Sequence, residues 1–206
     1  MNERIETIIR QMKRLEDELL VEMQKKQEEF AYEIRDRRIR FEEAVRRRHK
    51  SLMRHIPGYL MDSTIPNMLT VPVIWAVLLP AMLLDAAITI YQFICFPIYG
   101  IPKVRRADYI VIDRQYLSYL NLIEKVNCIY CGYVNGLIGF MQEVVARTEQ
   151  FWCPIKHARK IRGMHRRYRH FLDYGDAEAW RERFEEVRRE FGDIKKPGNG
   201  GGSVTP

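Results

Sequence analysis

Four side chains have the types and spacing of a metal site. Cys128 and Cys131 form a CxxC, and Cys153 and His157 follow as a C-x3-H pair inside CPIKH. Three thiolates and one imidazole suit tetrahedral zinc, with iron as the alternative metal. CxxC sets two sulfurs on one turn. The C-x3-H pair sets a thiol and an imidazole four apart, on one face if that stretch is helical. Four protein ligands would close the coordination sphere and make the site structural. Were His157 not a ligand, an open position would remain, and Glu149 would be the nearest candidate acid or base. Two further readings stay open. The thiols could be small hydrophobes in a core rich in glycine and aromatic residues, or a redox pair, which would want a strand-to-helix context that is not visible. No catalytic residue is assigned.

For the two pairs to meet, the residues between them must make a helical excursion that returns. Gly132, Asn135, Gly136 and Gly139 read as the place where the chain loosens. Residues 107–126 then read as an amphipathic helix with Tyr116, Leu117, Leu120 and Ile123 on one face, and a second helix covers about 137–150. Downstream, Asp176 is an N-cap, and Trp180, Phe184, Val187 and Phe191 follow at helical spacing until Gly192 stops the run. The tail KKPGNGGGSVTP reads as disordered.

Upstream lies the strongest signal in the chain. Asp85 is the only charged residue between Asp62 and Lys103. The apolar block runs MLTVPVIWAVLLPAMLL over 68–84 and AAITIYQFICFPIYGIP over 86–102. One straight span would be too long and would carry a carboxylate near its middle, at a cost of roughly 2.5–3.5 kcal/mol. Two arms of about 25 Å each, meeting at a turn that holds Asp85, fit better. Pro72, Pro80, Pro97 and Pro102 would bend the arms. Basic residues on both flanks place both ends on the cytoplasmic side under the positive-inside rule. A single tilted span and a buried soluble core are the other readings of the block.

Before that block no Gly or Pro occurs until Pro57, so residues 2 to about 55 read as one helix, about 75 Å long. Ile5, Ile8, Met12, Leu15 and Leu19 repeat at 3-4 spacing, and Met23, Phe30, Ile34 and Phe41 resume the rhythm after a four-residue slip. That is a coiled-coil seam with a stutter, fit for self-association or for docking along a partner helix. The alternative is an amphipathic helix lying on the protein's own body.

The net charge is +7, from 34 Lys and Arg against 27 Asp and Glu, which suits an anionic surface. Arg46, Arg47 and Arg48 precede the apolar block, and Lys103, Arg105 and Arg106 follow it. Lys156, Arg159, Lys160, Arg162, Arg166, Arg167 and Arg169 form a third basic run without one acidic residue. Beside a membrane segment these cations are expected to grip lipid headgroups, each contributing roughly 1 kcal/mol near the surface, and nucleic acid is not the expected partner. The first twenty residues mix charge and apolar groups too closely for a cleavable export signal, which points the cysteines toward a reducing cytosol.

The stretch NCIYCGYVNGLIGFMQEVVARTEQFWCPIKHAR, with FLDYGDAEAW after it, resembles a family of uncharacterised bacterial membrane-associated proteins. WCPIKHA is the most distinctive part. The resemblance covers about 108–190 and implies a bacterial source, but no reaction. The expected molecule is all-α, in four parts. A coiled-coil helix takes 1–56, a membrane-inserted hairpin 57–106, a cytoplasmic helical domain with the metal site 107–192, and a tail 193–206. The expected function is a homo-oligomeric scaffold anchored in a bacterial inner membrane. A membrane-bound metal or redox enzyme and an accessory subunit of a larger membrane complex are the alternatives.

Overall fold

The period of the side chains decides where the N-terminal helix stops. In the computed structural model, which describes residues 3–29, 32–35, 38–41, 43–61 and 64–194, helix α1 spans Glu3–Glu29 and goes no further. Strands β1 (Tyr32–Arg35) and β2 (Arg38–Phe41) follow. Their sequences, YEIR and RIRF, alternate apolar and charged residues with period two, the pattern of a strand and not of a helix. The antiparallel register sets Tyr32 opposite Phe41, Glu33 opposite Arg40, Ile34 opposite Ile39 and Arg35 opposite Arg38. The expected helix to residue 55 is therefore broken. Ile34 and Phe41 are strand residues, and Phe30 lies outside the described residues.

The remaining elements are helical: α2 (Glu43–Ser51), α3 (Ile56–Met61), α4 (Ile65–Ala76), α5 (Leu78–Tyr99), α6 (Leu122–Trp152) and α7 (Ala177–Val187), with single 3-10 turns at Arg106–Asp108, Arg114–Tyr116 and Arg166–His170. The fold is thus mostly helical, and the short hairpin is its only sheet among the described residues. Two compact units divide the chain. The first joins Met1–Ile65 to Ile112–Ile129, and the second joins Pro66–Val111 to Tyr130–Pro206.

In the first unit the His49 ring of α2 stands edge-on to Tyr119, with centroids 5.3 Å apart. Residues expected to form a helix over 107–126 are largely irregular, and α6 starts only at Leu122. Its start is a capping box. Glu124 N–H donates to Asn121 Oδ1 at 3.0 Å, and Asn121 N–H donates to Glu124 Oε2 at 2.8 Å.

In the second unit α5 and α6 share the core, built from Phe96, Ile101, Val104, Leu137, Phe140, Val144 and Phe151. Gly100 ends α5 in the left-handed region at φ 69°, donating its N–H to Pro97, while Ile101 N–H reaches back to Phe96. This is a Schellman ending, and only glycine holds that backbone without strain. Gly132, Gly136 and Gly139 do not loosen the chain; they lie inside α6. A Cβ on Gly136 would stand 2.7 Å from both Ile110 Cα and Tyr109 O, so the missing side chain is what lets the Tyr109–Val111 backbone lie against the helix. At the C-terminus the Asp176 cap holds as expected, with Ala179 N–H donating to Oδ1 at 2.9 Å, and the helix ends at Val187.

Candidate membrane anchor and its buried ion pair

The apolar stretch is one helical run, not a hairpin turning at Asp85. Ile65–Tyr99 is long and apolar enough to cross a membrane, and only 6% of its most apolar window is buried by the rest of the protein. Its one interruption falls at Val77, between α4 and α5. Pro80 is the reason. Its ring clashes with the carbonyl four residues back, at Ala76, and it offers no N–H to that carbonyl. At the break the Ile74 carbonyl accepts from Val77 N–H at 3.3 Å and from the Tyr130 hydroxyl at 2.8 Å, and the Trp75 ring lies 5.1 Å from that of Tyr130. Ile65, Leu69, Val73, Leu79 and Leu83 all stay exposed. The described residues of the chain leave them uncovered.

Asp85 sits within α5 and not in a turn, with 7% of its surface exposed. Its counter-charge is Arg106. Arg106 Nη1 donates to Oδ1 at 2.6 Å and Nη2 to Oδ2 at 2.5 Å, a fork-to-fork pair. The Tyr133 hydroxyl of α6 donates to Oδ2 at 2.8 Å, and the Thr89 hydroxyl to Oδ1 at 3.4 Å. Gln92, one turn beyond Thr89, accepts Val104 N–H at 2.6 Å and donates to the Val104 carbonyl at 3.3 Å. Arg147 Nη1 donates to the Pro102 carbonyl at 2.7 Å, while its Nε is held by Glu143 at 2.8 Å. The chain after Gly100 therefore runs back along α5, and Asp85 and Gln92 each pin part of it. A depression of about 330 Å³ lies beside the pair, lined by Met82, Ala86, Thr89 and Ile90 as well as Asp85, Arg106 and Tyr133.

A second cluster closes the C-terminal end. Arg167, 3% exposed, donates Nε to Gln150 Oε1 and Nη2 to the Glu190 carbonyl and Asp193 Oδ1, both at 2.9 Å. Gln150 in turn donates to the carbonyls of Val187 and Glu190, at 2.9 and 2.8 Å. Burial pulls the Asp193 carboxyl upward, but the Arg167 hydrogen bond and charge, with His170 and Arg169, outweigh it and hold the group below the usual carboxylate range. Asp193 thus belongs to the folded body and not to a tail beginning at 193; residues 195–206 lie outside the described residues.

The four expected metal ligands are not brought together. Cys131 and Cys153 are separated by most of the length of α6, about 33 Å at the helical rise, because the residues between them form one unbroken helix and not a returning excursion. Cys128 lies one turn before Cys131 on that helix, and His157 lies beyond Cys153 with its ring over Tyr168 at 6.3 Å. Among the described residues no group of three or more His, Cys, Asp and Glu is placed to hold a metal within one chain. Glu149 is held by His165 Nε2 at 2.9 Å.

The chain matches no family model, no curated protein and no solved structure. Residue roles therefore rest on geometry and chemistry. Of the expected headgroup cations, Arg167 is buried, and Arg106 is paired with Asp85 while its side chain stays 45% exposed. Lys156 pairs with Asp173 at 2.7 Å and Arg169 with Asp193 at 3.2 Å. Arg46, Arg47, Arg48, Lys103, Arg105, Arg159, Lys160 and Arg162 are exposed, although Arg47 also pairs with Glu43 at 2.6 Å. Along the expected seam Met12, Leu15, Leu19 and Met23 are each more than half exposed on α1; the side chains of Ile5 and Ile8 lie outside the described set.

Proposed function

We propose that the chain is a membrane-anchored, homo-oligomeric scaffold of a bacterial inner membrane. The observation that carries this reading is the apolar run Ile65–Tyr99, most of whose apolar side chains the described residues leave uncovered. Lipid is the solvent that removes the cost of that exposure. From Ile65 to Leu84 the run holds no charge, a length of about 30 Å that matches the hydrocarbon core. Asp85 comes next, neutralised by Arg106, where the hydrocarbon would end. The exposed seam on α1 supplies the assembly surface, because a lone helix gains little from a bare row of Met and Leu unless another helix covers it. Exposed cations such as Arg46, Arg48, Lys103 and Arg105 supply attraction to anionic headgroups.

The full chain, produced in a bacterial host, tests both halves. It is expected to stay in the membrane pellet through alkaline carbonate and to migrate in mild detergent as an oligomer. Leu15→Lys with Leu19→Lys is expected to lower the oligomer's order while leaving the chain in the membrane. Release by carbonate would sink the anchor. A wild-type monomer in detergent would sink the scaffold and leave an accessory subunit of a larger complex.

A further inference from the structure

We infer that the outer face of α6 is a parallel two-fold interface between copies of this chain, closed at one end by a zinc ion held by Cys128 and Cys131 of both copies. The inference rests on the homo-oligomeric reading and names a contact for it. The buried residues of α6, among them Leu137, Phe140, Val144 and Phe151, mark its inner side. On the opposite side Cys131, Asn135, Ile138, Gln142, Val145 and Trp152 are exposed, at alternating spacings of four and three until the last step. Adding the half-exposed Cys128 and Glu149 completes an unbroken 3-4 repeat from Cys128 to Trp152. Cysteine, Asn, Gln and Glu occupy one seam position, and Cys, Ile, Val and Trp occupy the other. The spacing is that of a heptad seam with one apolar and one polar row, the last member of the polar row, Glu149, being held by His165 of its own chain.

The stripe's chemistry selects the occupant. Ile138, Val145 and Trp152 remain 59%, 52% and 54% exposed and call for apolar cover. Lipid tails would provide it, but they offer no partner to the Gln142 amide or to the Asn135 amide oxygen, whose nitrogen donates to the Cys131 carbonyl at 2.9 Å. A second copy meets both needs, since an amide carries donor and acceptor and pairs with its own image across a two-fold axis. A single Asn at such a position is also what specifies parallel, in-register pairing. Parallel pairing is the only two-fold arrangement in which two copies keep one orientation in a bilayer when the helices stand across it.

The metal follows from the same symmetry. Cys128 and Cys131 are one turn apart and supply two thiolates; a closed zinc site needs four ligands. Their images across the axis supply the other two, whereas Cys153, about 33 Å along the helix from Cys131, cannot. The expected stoichiometry is about half a zinc per chain, not one.

The test uses the full chain in mild detergent with zinc added and excess removed. About one zinc per two chains is expected, lost in Cys128→Ser with Cys131→Ser and retained in Cys153→Ser with His157→Ala. One zinc per chain, or loss in the second variant, overturns the metal site. The interface is read separately, in a chain whose four cysteines are alanine and whose helical circular dichroism matches wild type. Single cysteines returned at 131, 138 and 145 are expected to link to themselves on mild oxidation, while Met164→Cys, exposed but off the stripe, is not. An oligomer in which none of the three links overturns this interface and leaves the scaffold standing. A wild-type monomer overturns both.

Discussion

Arg106 reaches both carboxylate oxygens of Asp85 with both of its terminal nitrogens, at 2.6 and 2.5 Å, across a separation of 21 residues. One partner is nearly enclosed, and the side chain of the other is 45% exposed. Under the proposed reading, the pair marks the boundary of the anchor. It neutralises the only charge in the apolar run and fastens the returning chain to α5.

Asp85→Asn is expected to destabilise the second unit by about 1–3 kcal/mol, less than a fully buried broken pair because water still reaches Arg106. Tyr133 also loses its charged acceptor. Replacing both partners, as Asp85→Leu with Arg106→Leu, removes the stranded charge and is expected to cost less than the single change. Thermal unfolding in detergent gives the comparison. A single variant that melts with wild type would mean the loop is held by Gln92 and Arg147 alone.

Gly136→Ala places a methyl group 2.7 Å from two backbone atoms that cannot swing aside. The expected loss is about 1–3 kcal/mol, against the helix propensity that alanine would otherwise add. Gly132→Ala meets only Val111 O at 3.3 Å and is expected to be milder. Denaturant midpoints for the two variants decide it. If they rank the other way, the close approach of Tyr109–Val111 to α6 is not what these glycines serve.

What could be read in the sequence followed from strong, local patterns. Apolar length announced a run long enough to cross a membrane, and Asp176 announced the start of α7. The helix of α1 was legible, but not its end, because Ile34 and Phe41 fit a helical count as well as the two-residue alternation that prevailed. Asn121 and Glu124 form a capping box, a sequence signal for the true start of α6 that outweighs the glycines downstream. Gly136 reads as a loosening only until its partner is known; the reason for it lies at Ile110, far along the chain. Asp85 looked like a turn residue for the same reason. A lone carboxylate in an apolar helix demands a cation, and Lys103, Arg105 and Arg106 were near at hand, but the Schellman reversal at Gly100 that delivers Arg106 is a tertiary fact.

Ile74→Lys tests where the membrane lies. The residue is exposed near the middle of the charge-free run Ile65–Leu84, so a lysine there is expected to cost insertion roughly 2.5–3.5 kcal/mol. Lys103 stands 4.6 Å over the Phe93 ring, beyond that run, and Lys103→Ala is expected to leave insertion nearly unchanged. The fraction of chain in carbonate-washed membranes reports both. Equal insertion of Ile74→Lys and wild type would move the membrane boundary off α4.

Acid is expected to release the C-terminal end through Asp193. Its folded carboxyl titrates below the ordinary range, because Arg167, His170 and Arg169 outweigh the upward pull of burial. The unfolded chain therefore takes up the proton first as pH falls. Stability from this group is present above the ordinary carboxylate value, about 4, and is lost as pH drops through the lowered folded value. Asp193→Asn should remove that part of the acid sensitivity and loosen α7 at neutral pH. Arg167→Met goes further, stranding Gln150 Oε1 and Asp193 together, at an expected cost of about 2–4 kcal/mol. Both effects can be followed by the fluorescence of a chain that retains only Trp152, whose ring lies 5.9 Å from the Arg188 guanidinium just past α7. An acid transition that is the same in Asp193→Asn and wild type would place the sensitive carboxylate elsewhere.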